Sequence, residues 1–494
     1  MDLDHDACYR ALRTRDARFD GRLFTGVKTT GIYCRPVCPA RTPKRENVVF
    51  YPSAAAAQEA GFRPCLRCRP ESAPELAIWL GTSNTVSRAL SLIEHGALDE
   101  GDVEALAARV GLGERQLRRL FERHLGASPV AVAQTRRVLL AKQLLHDTTL
   151  TMSEVALAAG FGSIRRFNEV FHDLFGSAPS TLRRARARAA LSTPSGRVTL
   201  LLRYRPPYDW EAMLAFLRLR AMPGVEVVSE DSYARTFALG EAQGVVRVTH
   251  DPGDALRATI SVSTLAVLPE LLARLRRVFD LAADPAAIGA HLAADPRLAP
   301  LVAARPGLRV PGAFEPFELA VRAVLGQQIS VSAAVALAGK LVARHGALLA
   351  HEDAEPGLTH VFPTARQLAA ADLSTLPMPR ARSQALASLA EAVARDPRIF
   401  GQRRELAETV ADLRKLPGIG EWTAQYIALR ALREPDAFPA ADLGLLRAMT
   451  DAAGERPTPR ALLAHAERWR PWRAYAAQYL WLADPGPRSA RSAA

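Results

Sequence analysis

The chain has 494 residues, 49% of them apolar, which is enough for several buried cores. Its formal net charge of +13 and pI of about 10.0 favour a polyanionic partner and argue against a basic one. No uninterrupted apolar run reaches the length of a membrane span, and acidic residues rather than an apolar secretory segment follow Met1. A soluble, reducing, cytoplasmic and nucleoid-associated setting with no membrane partner is therefore expected.

The first informative elements are cysteines. Five are present, and none follows Cys68. Cys34 and Cys38 are separated by three residues, Cys65 and Cys68 by two. Two close pairs joined by a loop suit a four-cysteine zinc site, because each pair brings two thiolates to one face of a tetrahedral ion. On spacing alone such a quartet reads as a structural zinc ribbon. Disulfide pairing fits poorly with a chain that shows no secretory segment.

The surrounding residues add chemistry. Thr29-Thr30-Gly31-Ile32-Tyr33-Cys34-Arg35-Pro36-Val37-Cys38, Arg45-Glu46-Asn47-Val48-Val49-Phe50-Tyr51 and Ala60-Gly61-Phe62-Arg63-Pro64-Cys65-Leu66-Arg67-Cys68 closely resemble the N-terminal domain of the Ada family. The resemblance implies a zinc-binding methyl-acceptor domain over residues 1–80, with one Zn2+ on Cys34, Cys38, Cys65 and Cys68. It further implies that Cys34, first of the quartet, takes a methyl group from a methylated DNA phosphate and is consumed. Four thiolates on a dication repel DNA phosphate, and methylating one removes a negative charge, so DNA binding is expected to tighten. Arg41, Arg63 and Arg67 lie beside the ligands as candidate phosphate contacts, or as solvated surface arginines.

Next comes an internal repeat. Leu106 to Phe121 reads as a helix, a glycine-bearing turn and a second helix, and Ala156 to Phe171 repeats it 50 positions later. Each copy closes alike, at Leu125-Gly126-Ala127-Ser128-Pro129 and Phe175-Gly176-Ser177-Ala178-Pro179, with Gly126 and Gly176 as helix C-caps. A central helix is expected over about Val130 to His146. Two such units joined by a helix resemble the AraC-type DNA-binding domain, here residues 84–187. The resemblance implies recognition helices near Glu114–His124 and Ile164–Leu174. Arg115, Gln116, Arg118, Arg119, Arg165 and Arg166 are the candidate DNA contacts. Leu117, Leu120, Phe121, Phe167, Val170 and Phe171 recur at helical spacing and belong to a core. Arg183 to Gly196, basic and then rich in Ala, Ser, Pro and Gly, reads as a linker. In the Ada family a second methyltransferase domain with a Pro-Cys-His-Arg motif follows. No cysteine is available for it here, so guanine-O6 methyl transfer is expected to be absent.

From Val198 the composition changes. Val198 to Leu202 is strand-like, Trp210 to Arg220 has helical spacing, and strands are expected near Tyr233–Leu239, Val245–His250 and Ala258–Val262. A mostly helical, alanine-rich region follows. Within it, Leu416-Pro417-Gly418-Ile419-Gly420-Glu421-Trp422 reads either as an ordinary helix end and turn or as a phosphate-cradling hairpin. In the latter, Gly418 and Gly420 let backbone N–H groups approach an anion. An aspartate follows downstream, in Phe438-Pro439-Ala440-Ala441-Asp442. Hairpin and aspartate together match the helix-hairpin-helix-GPD pattern of DNA glycosylases. The wider stretch, from Tyr204-Arg205-Pro206-Pro207-Tyr208-Asp209-Trp210 through Ala466-Glu467-Arg468-Trp469-Arg470-Pro471-Trp472-Arg473, resembles the AlkA-type 3-methyladenine glycosylases. That implies an α+β N-terminal domain over 197–284 and an all-α glycosylase domain over 285–486.

By this resemblance Asp442 is the catalytic carboxylate, where the plain alternative is a helix N-cap. Trp422, Tyr426 and Trp481 would line an aromatic base pocket that attracts a cationic base. Gln328 sits where the family inserts a wedge into the vacated base stack. Bifunctional relatives carry a lysine where this chain has Trp422, so a monofunctional hydrolase is expected. With no cysteine beyond Cys68 an iron–sulfur cluster is excluded. Leu443 replaces the aromatic residue often found after the aspartate.

The fold class expected is multidomain and mainly α with α+β parts: a small four-cysteine zinc α/β domain, an all-α double helix-turn-helix, an α+β domain and an all-α glycosylase domain. The function expected is an alkylation sensor, activator and base-excision glycosylase in one chain. Its partners would be double-stranded DNA, at alkylated sites and at a promoter or operator, and RNA polymerase. Two other readings stay open. One is a regulator whose C-terminal half binds damaged DNA without catalysis. The other is a repair enzyme whose N-terminal half only targets it to DNA.

Overall fold

The computed structural model of the protein describes residues 4–16, 19–73, 84–99, 101–184, 197–350, 355–400, 406–451 and 453–484. The linker expected at Arg183 to Gly196 lies outside them beyond residue 184, as do the domain limits expected at 80, 187 and 486.

In chain order, α1 (His5–Thr14) precedes β1 (Phe24–Val27), β2 (Ile32–Cys34), β3 (Val48–Tyr51), α2 (Ala54–Glu59) and β4 (Arg63–Pro64). The four strands form one sheet in the order β3-β1-β2-β4, antiparallel except for the β2–β4 pair. All four residues of β1 are buried, as a central strand covered on both faces requires.

Helices then follow one another without a strand between them: α3 (Asn84–Glu94), α4 (Val103–Arg109), α5 (Glu114–Leu125), α6 (Pro129–Asp147), α7 (Met152–Ala158), α8 (Ile164–Phe175) and α9 (Pro179–Arg184). Their ends are written in the sequence. Asp102, Ser128, Thr151 and Ser163 each cap the following helix, and Thr151 with Glu154 completes a capping box. Gly126 and Gly176 end α5 and α8 at φ +64°, the left-handed geometry a glycine C-cap supplies. The core of the second helical pair is aromatic: Phe161, Phe167 and Phe171 pack in sequence at 5.3 and 4.8 Å between centroids.

The chain continues through β5 (Arg197–Arg203), α10 (Trp210–Arg218), β6 (Glu226–Val228), β7 (Ser232–Leu239), β8 (Ala242–Asp251), β9 (Ala255–Val262) and α11 (Leu268–Val278). It falls into two compact units: Met1–Tyr204 with Ala238–Arg276, and Arg205–Phe237 with the residues from Arg277 onward. In the first unit β9 pairs antiparallel with both β5 and β8. In the second, β6 and β7 form an antiparallel hairpin.

The rest of the second unit is helical: α12 (Pro285–Leu292), α13 (Ala299–Ala304), α14 (Pro316–Leu325), α15 (Val331–His345), α16 (Ala365–Ala369), α17 (Arg380–Arg395), α18 (Leu406–Leu413), α19 (Glu421–Arg430), α20 (Leu443–Ala448), α21 (Pro459–Ala466) and α22 (Arg473–Ala483). They close around one apolar core that includes Leu341, Leu386, Ile427, Leu445 and Trp469. The chain is thus multidomain and helix-rich with smaller sheets, and the short strand β6 is an element that periodicity did not reveal. No described helix is long and apolar enough to cross a membrane.

Candidate metal centre and carboxylate cleft

Sheet register gathers the four cysteines. Cys34 ends β2 opposite Thr25 of β1, and Tyr33 pairs with Pro64 of β4, so Cys65 emerges beside Cys34. The Cys65 N–H donates to Tyr33 O at 3.0 Å and fixes that placement. All four Sγ atoms lie within 4.8 Å of one another, as ligands of one tetrahedral zinc must. Two backbone N–H groups point at sulfur: Arg35 N–H to Cys68 Sγ at 3.4 Å, and Arg67 N–H to Cys65 Sγ at 3.3 Å. Such donors suit thiolates. The thiols also perturb one another. Pairing with Cys38 raises Cys34, while Cys38 is lowered to about 7, first by its pairing with Cys34. The four cysteines form a zinc site.

Cys34 is half-buried, whereas Cys38, Cys65 and Cys68 are buried. It is the member of the quartet that an outside group can approach. Around it, Arg41 and Arg67 are exposed and Arg63, within β4, is half-buried. Sequence reasoning passed over Arg35, whose guanidinium grips the Asp20 carboxylate and donates to Cys68 O at 3.2 Å. Its position inside the first cysteine pair was the available signal.

In the helical domain, Arg115, Gln116, Arg118 and Arg119 of α5 and Arg165 and Arg166 of α8 are all exposed. Leu117, Phe121, Phe167, Val170 and Phe171 are buried on the opposite faces. Arg118 pairs with Glu114 and Arg165 with Glu169, each one turn along the same helix.

In the second unit, α18, a short turn and α19 make a helix-hairpin-helix. Gly418 has φ +79°, and an added Cβ would lie 2.4 Å from Ala385 Cβ, so this position demands glycine twice over. Gly420 caps α19 with open space around it, which leaves the helix N-terminus accessible. From α19, Trp422 and Tyr426 project one turn apart and stack nearly parallel, with centroids 5.2 Å apart and planes at 7°. Trp481 of α22 meets Tyr426 edge-on at 6.4 Å.

Asp442 precedes α20 and is its N-cap: Oδ1 accepts from Leu445 N–H at 3.1 Å. The same Oδ1 accepts from Trp481 Nε1 at 2.9 Å, and Oδ2 accepts from Trp422 Nε1 at 2.8 Å. The helix-cap reading of this residue therefore holds, and the same carboxylate is held by two indoles of the cleft. Gly444 permits this packing, because a Cβ there would meet Asp442 Oδ1 at 3.0 Å and Trp481 Cδ1 at 3.2 Å. Leu443, beside Asp442, is 65% exposed, so it is not part of the aromatic wall.

Gln328 is exposed, with φ +57°, in the loop before α15. Its neighbour Gln327 ties the loop to the hairpin by donating to Gly418 O at 2.8 Å and Thr423 Oγ1 at 3.2 Å. Ile329 of that loop and Trp422 line one cavity of about 130 Å3, together with Arg220 and Arg322.

The cleft is more basic than its aromatic sequence suggested. Buried Arg430 lies with its guanidinium carbon 5.0 Å from the Trp481 ring centroid, 5.7 Å from Tyr426 and 4.5 Å from Phe216. It donates to Pro311 O at 3.0 Å and Gln478 Oε1 at 2.8 Å. Burial lowers Arg430 to about 10. Burial alone would raise the Tyr426 phenol, but Arg430, Arg220 and Arg322 outweigh it and bring it below the ordinary tyrosine value. Two of the three aromatic rings expected to draw a cationic base, Tyr426 and Trp481, thus already have a guanidinium beside them. Nothing in the spacing of Arg430 marks it as different from other helical arginines.

Comparison with known proteins follows the same division. The metal binding domain of Ada matches residues 7–71, a helix-turn-helix domain 106–185, the AlkA N-terminal domain 199–315, and the HhH-GPD superfamily base excision DNA repair protein 321–474. A probable bifunctional transcriptional activator/DNA repair enzyme AlkA from Mycobacterium tuberculosis is 43% identical over 97% of each chain. DNA-3-methyladenine glycosylase 2 from Escherichia coli is 38% identical over 57% of this chain and 96% of its own. Among solved structures, a 3-methyladenine DNA-glycosylase from Archaeoglobus fulgidus shares the fold of 58% of this chain and 98% of its own, with a TM-score of 0.50 at 24% identity.

Proposed function

The chain belongs to the family of bifunctional transcriptional activator/DNA repair proteins of the AlkA type, and from that premise we propose a division of labour between its two ends. The N-terminal end senses alkylated DNA and activates transcription. The C-terminal end excises alkylated purines of the 3-methyladenine type.

Zinc held by Cys34, Cys38, Cys65 and Cys68 keeps thiols ionised and so nucleophilic at neutral pH. Cys34, the approachable member, attacks the methyl carbon of a DNA methylphosphotriester. The carbon–oxygen bond breaks, its electron pair stays on phosphate, and a thioether forms on the protein. One negative charge is lost at the centre, repulsion of DNA falls, and the helices α5 and α8 bind operator DNA more tightly. Arg41, Arg63 and Arg67 contact phosphate near the acceptor; Arg115, Gln116, Arg118, Arg119, Arg165 and Arg166 contact operator. RNA polymerase is the partner this activator recruits, in the cytoplasm at the nucleoid.

At the other end, Gly418 and Gly420 present the hairpin to a DNA phosphate, and Gln328 fills the gap left by an extruded nucleotide. The lesion base enters the cleft formed by Trp422, Tyr426 and Trp481. Asp442 faces the sugar and stabilises positive charge as the glycosidic bond breaks and water adds. Trp422 stands where a Schiff-base lysine would be needed, so the product is an intact abasic strand. Domains at 1–80, 84–187, 197–284 and 285–486 carry these tasks.

The observation that carries the excision reading is the Asp442 carboxylate, aimed by two indole N–H groups beside a helix-hairpin-helix. A single-turnover assay on a duplex containing 3-methyladenine tests it. The wild type should release the base and cut no strand without alkali. Asp442→Asn, which keeps the cap, should lose roughly 10²–10³ in rate or more. Full activity in that variant would show that another carboxylate acts.

A further inference from the structure

Lys142 lies in α6, the helix between the two helix-turn-helix pairs, yet its side chain is 0% exposed and reaches into the zinc-binding domain. Its ammonium donates to Cys65 O at 3.0 Å, the backbone carbonyl of a zinc ligand, and to Glu71 Oε2. Glu71 is 1% exposed and sits three residues after Cys68. A second layer repeats the pattern. Arg69 donates to Glu71 Oε1 at 3.1 Å and to Asp147 Oδ1 at 2.8 Å, and Asp147 is the last residue of α6. Lys142, Glu71, Arg69 and Asp147 therefore fasten the segment that bears Cys65 and Cys68 to one helix of the neighbouring domain. Polar contacts also join the two domains at Ser53 Oγ to Leu125 O, 2.7 Å, and Ser128 Oγ to Glu59 Oε1, 3.0 Å.

Burying an ammonium is costly, and a buried ion pair is a poor route to stability; a switch or a fixed register is the better-attested use. Apolar side chains would have docked these domains with less desolvation. What an ammonium at this place adds is sensitivity to charge. It touches the backbone of one zinc ligand, beside a centre carrying four thiolates.

We propose that Lys142 is a coupling residue: it makes α6 part of the methyl-acceptor centre, so that charge lost at Cys34 loosens the docking of the helix that joins both recognition helices. The proposal rests on the reading of Cys34 as acceptor. Before methyl transfer, two net negative charges at the centre hold the ammonium. Afterwards one remains, the attraction weakens, and α6 is freed to take the geometry that DNA imposes. Lys142 takes no part in the transfer itself.

Hydrogen exchange on the full-length, zinc-loaded protein tests this. The methyl donor is a short duplex carrying one methylphosphotriester, and intact mass reports methyl uptake. In the wild type, amides of α6 around Lys142 should exchange at least about threefold faster after uptake. The charge-neutral pair Lys142→Met with Glu71→Gln should still take up the methyl, and its α6 exchange should no longer respond to it. Should that pair fail to fold, Asp147→Asn, in the half-exposed outer layer, should reduce the response. Methyl uptake with no change in wild-type α6 exchange would overturn the coupling. So would an unchanged response in these variants. Absence of methyl on wild-type Cys34 would overturn the acceptor reading beneath it, and mass spectrometry tells the two failures apart.

Discussion

Single residues here serve more than one master. Asp442 is both helix cap and cleft carboxylate, so substitutions at it separate the roles. Asparagine keeps the cap, whereas Asp442→Ala should lose excision and also destabilise the domain by about 1 kcal/mol, read by thermal unfolding. Cys34 differs from its three partners in exposure, and its variant should differ too. Cys34→Ser should abolish the single added methyl seen by intact-mass spectrometry. Cys65→Ser or Cys68→Ser should instead lower zinc content. A methyl mapped to any of the buried three would refute the assignment. The sequence revealed the quartet because its residue type and spacing are rare, whereas Asp442 stood out only through the glycosylase resemblance, its local signal being that of any helix cap. The sequence hid Lys142, Glu71 and Arg430, because a lone charged residue looks the same in a sequence whether it faces water or a core.

At the scale of elements, the helix ends of the internal repeat were legible, whereas the helices of the second unit were read only as a mostly helical region. Gly126, Gly176 and Ser128-Pro129 act locally, through φ angles and cap hydrogen bonds that need no distant partner. Strand β6 was missed because three residues carry too little alternation to register. The hairpin glycine is a sharper case. Gly418→Ala combines an unfavourable φ with a clash against Ala385, and should cost about 1–3 kcal/mol. Excision on alkylated duplex should weaken with it, whereas methyl uptake at Cys34 should not change. Truncating Phe167 to alanine, fully buried between Phe161 and Phe171, should cost about 3–5 kcal/mol. Proteolysis of the second helix-turn-helix pair would show the loss.

Acid should loosen the second unit by a defined route. Burial works to raise the Asp295 carboxyl, but Trp469 Nε1, the Arg297 N–H and His465 together hold it below its ordinary value. A carboxyl lowered in the folded state contributes stability above its unfolded value of about 3.9 and loses it as pH falls below. Thermal unfolding of Asp295→Asn should therefore show less dependence on pH between about 5 and 3 than the wild type.

For the whole molecule, charge is the common thread. A net +13 favours any duplex, so specific binding must stand out against a strong general attraction. The gain in operator affinity on methylation should shrink as salt rises, since exposed charges are screened within about 8–10 Å. Titrations of methylated and unmethylated protein at several salt concentrations check this, and an equal affinity at all of them would remove the switch.

On the proposed acceptor role, the half-exposed thiol at Cys34 has one more consequence. A nucleophile consumed by its own reaction makes each molecule a counter that can advance only once. The excision cleft proposed at the other end would be spent by nothing and would work on without limit. A cell holding such a chain would keep a tally of past damage in the fraction of spent sensors. Only new synthesis and dilution by growth could erase that tally, even after the cleft had removed the last damaged base.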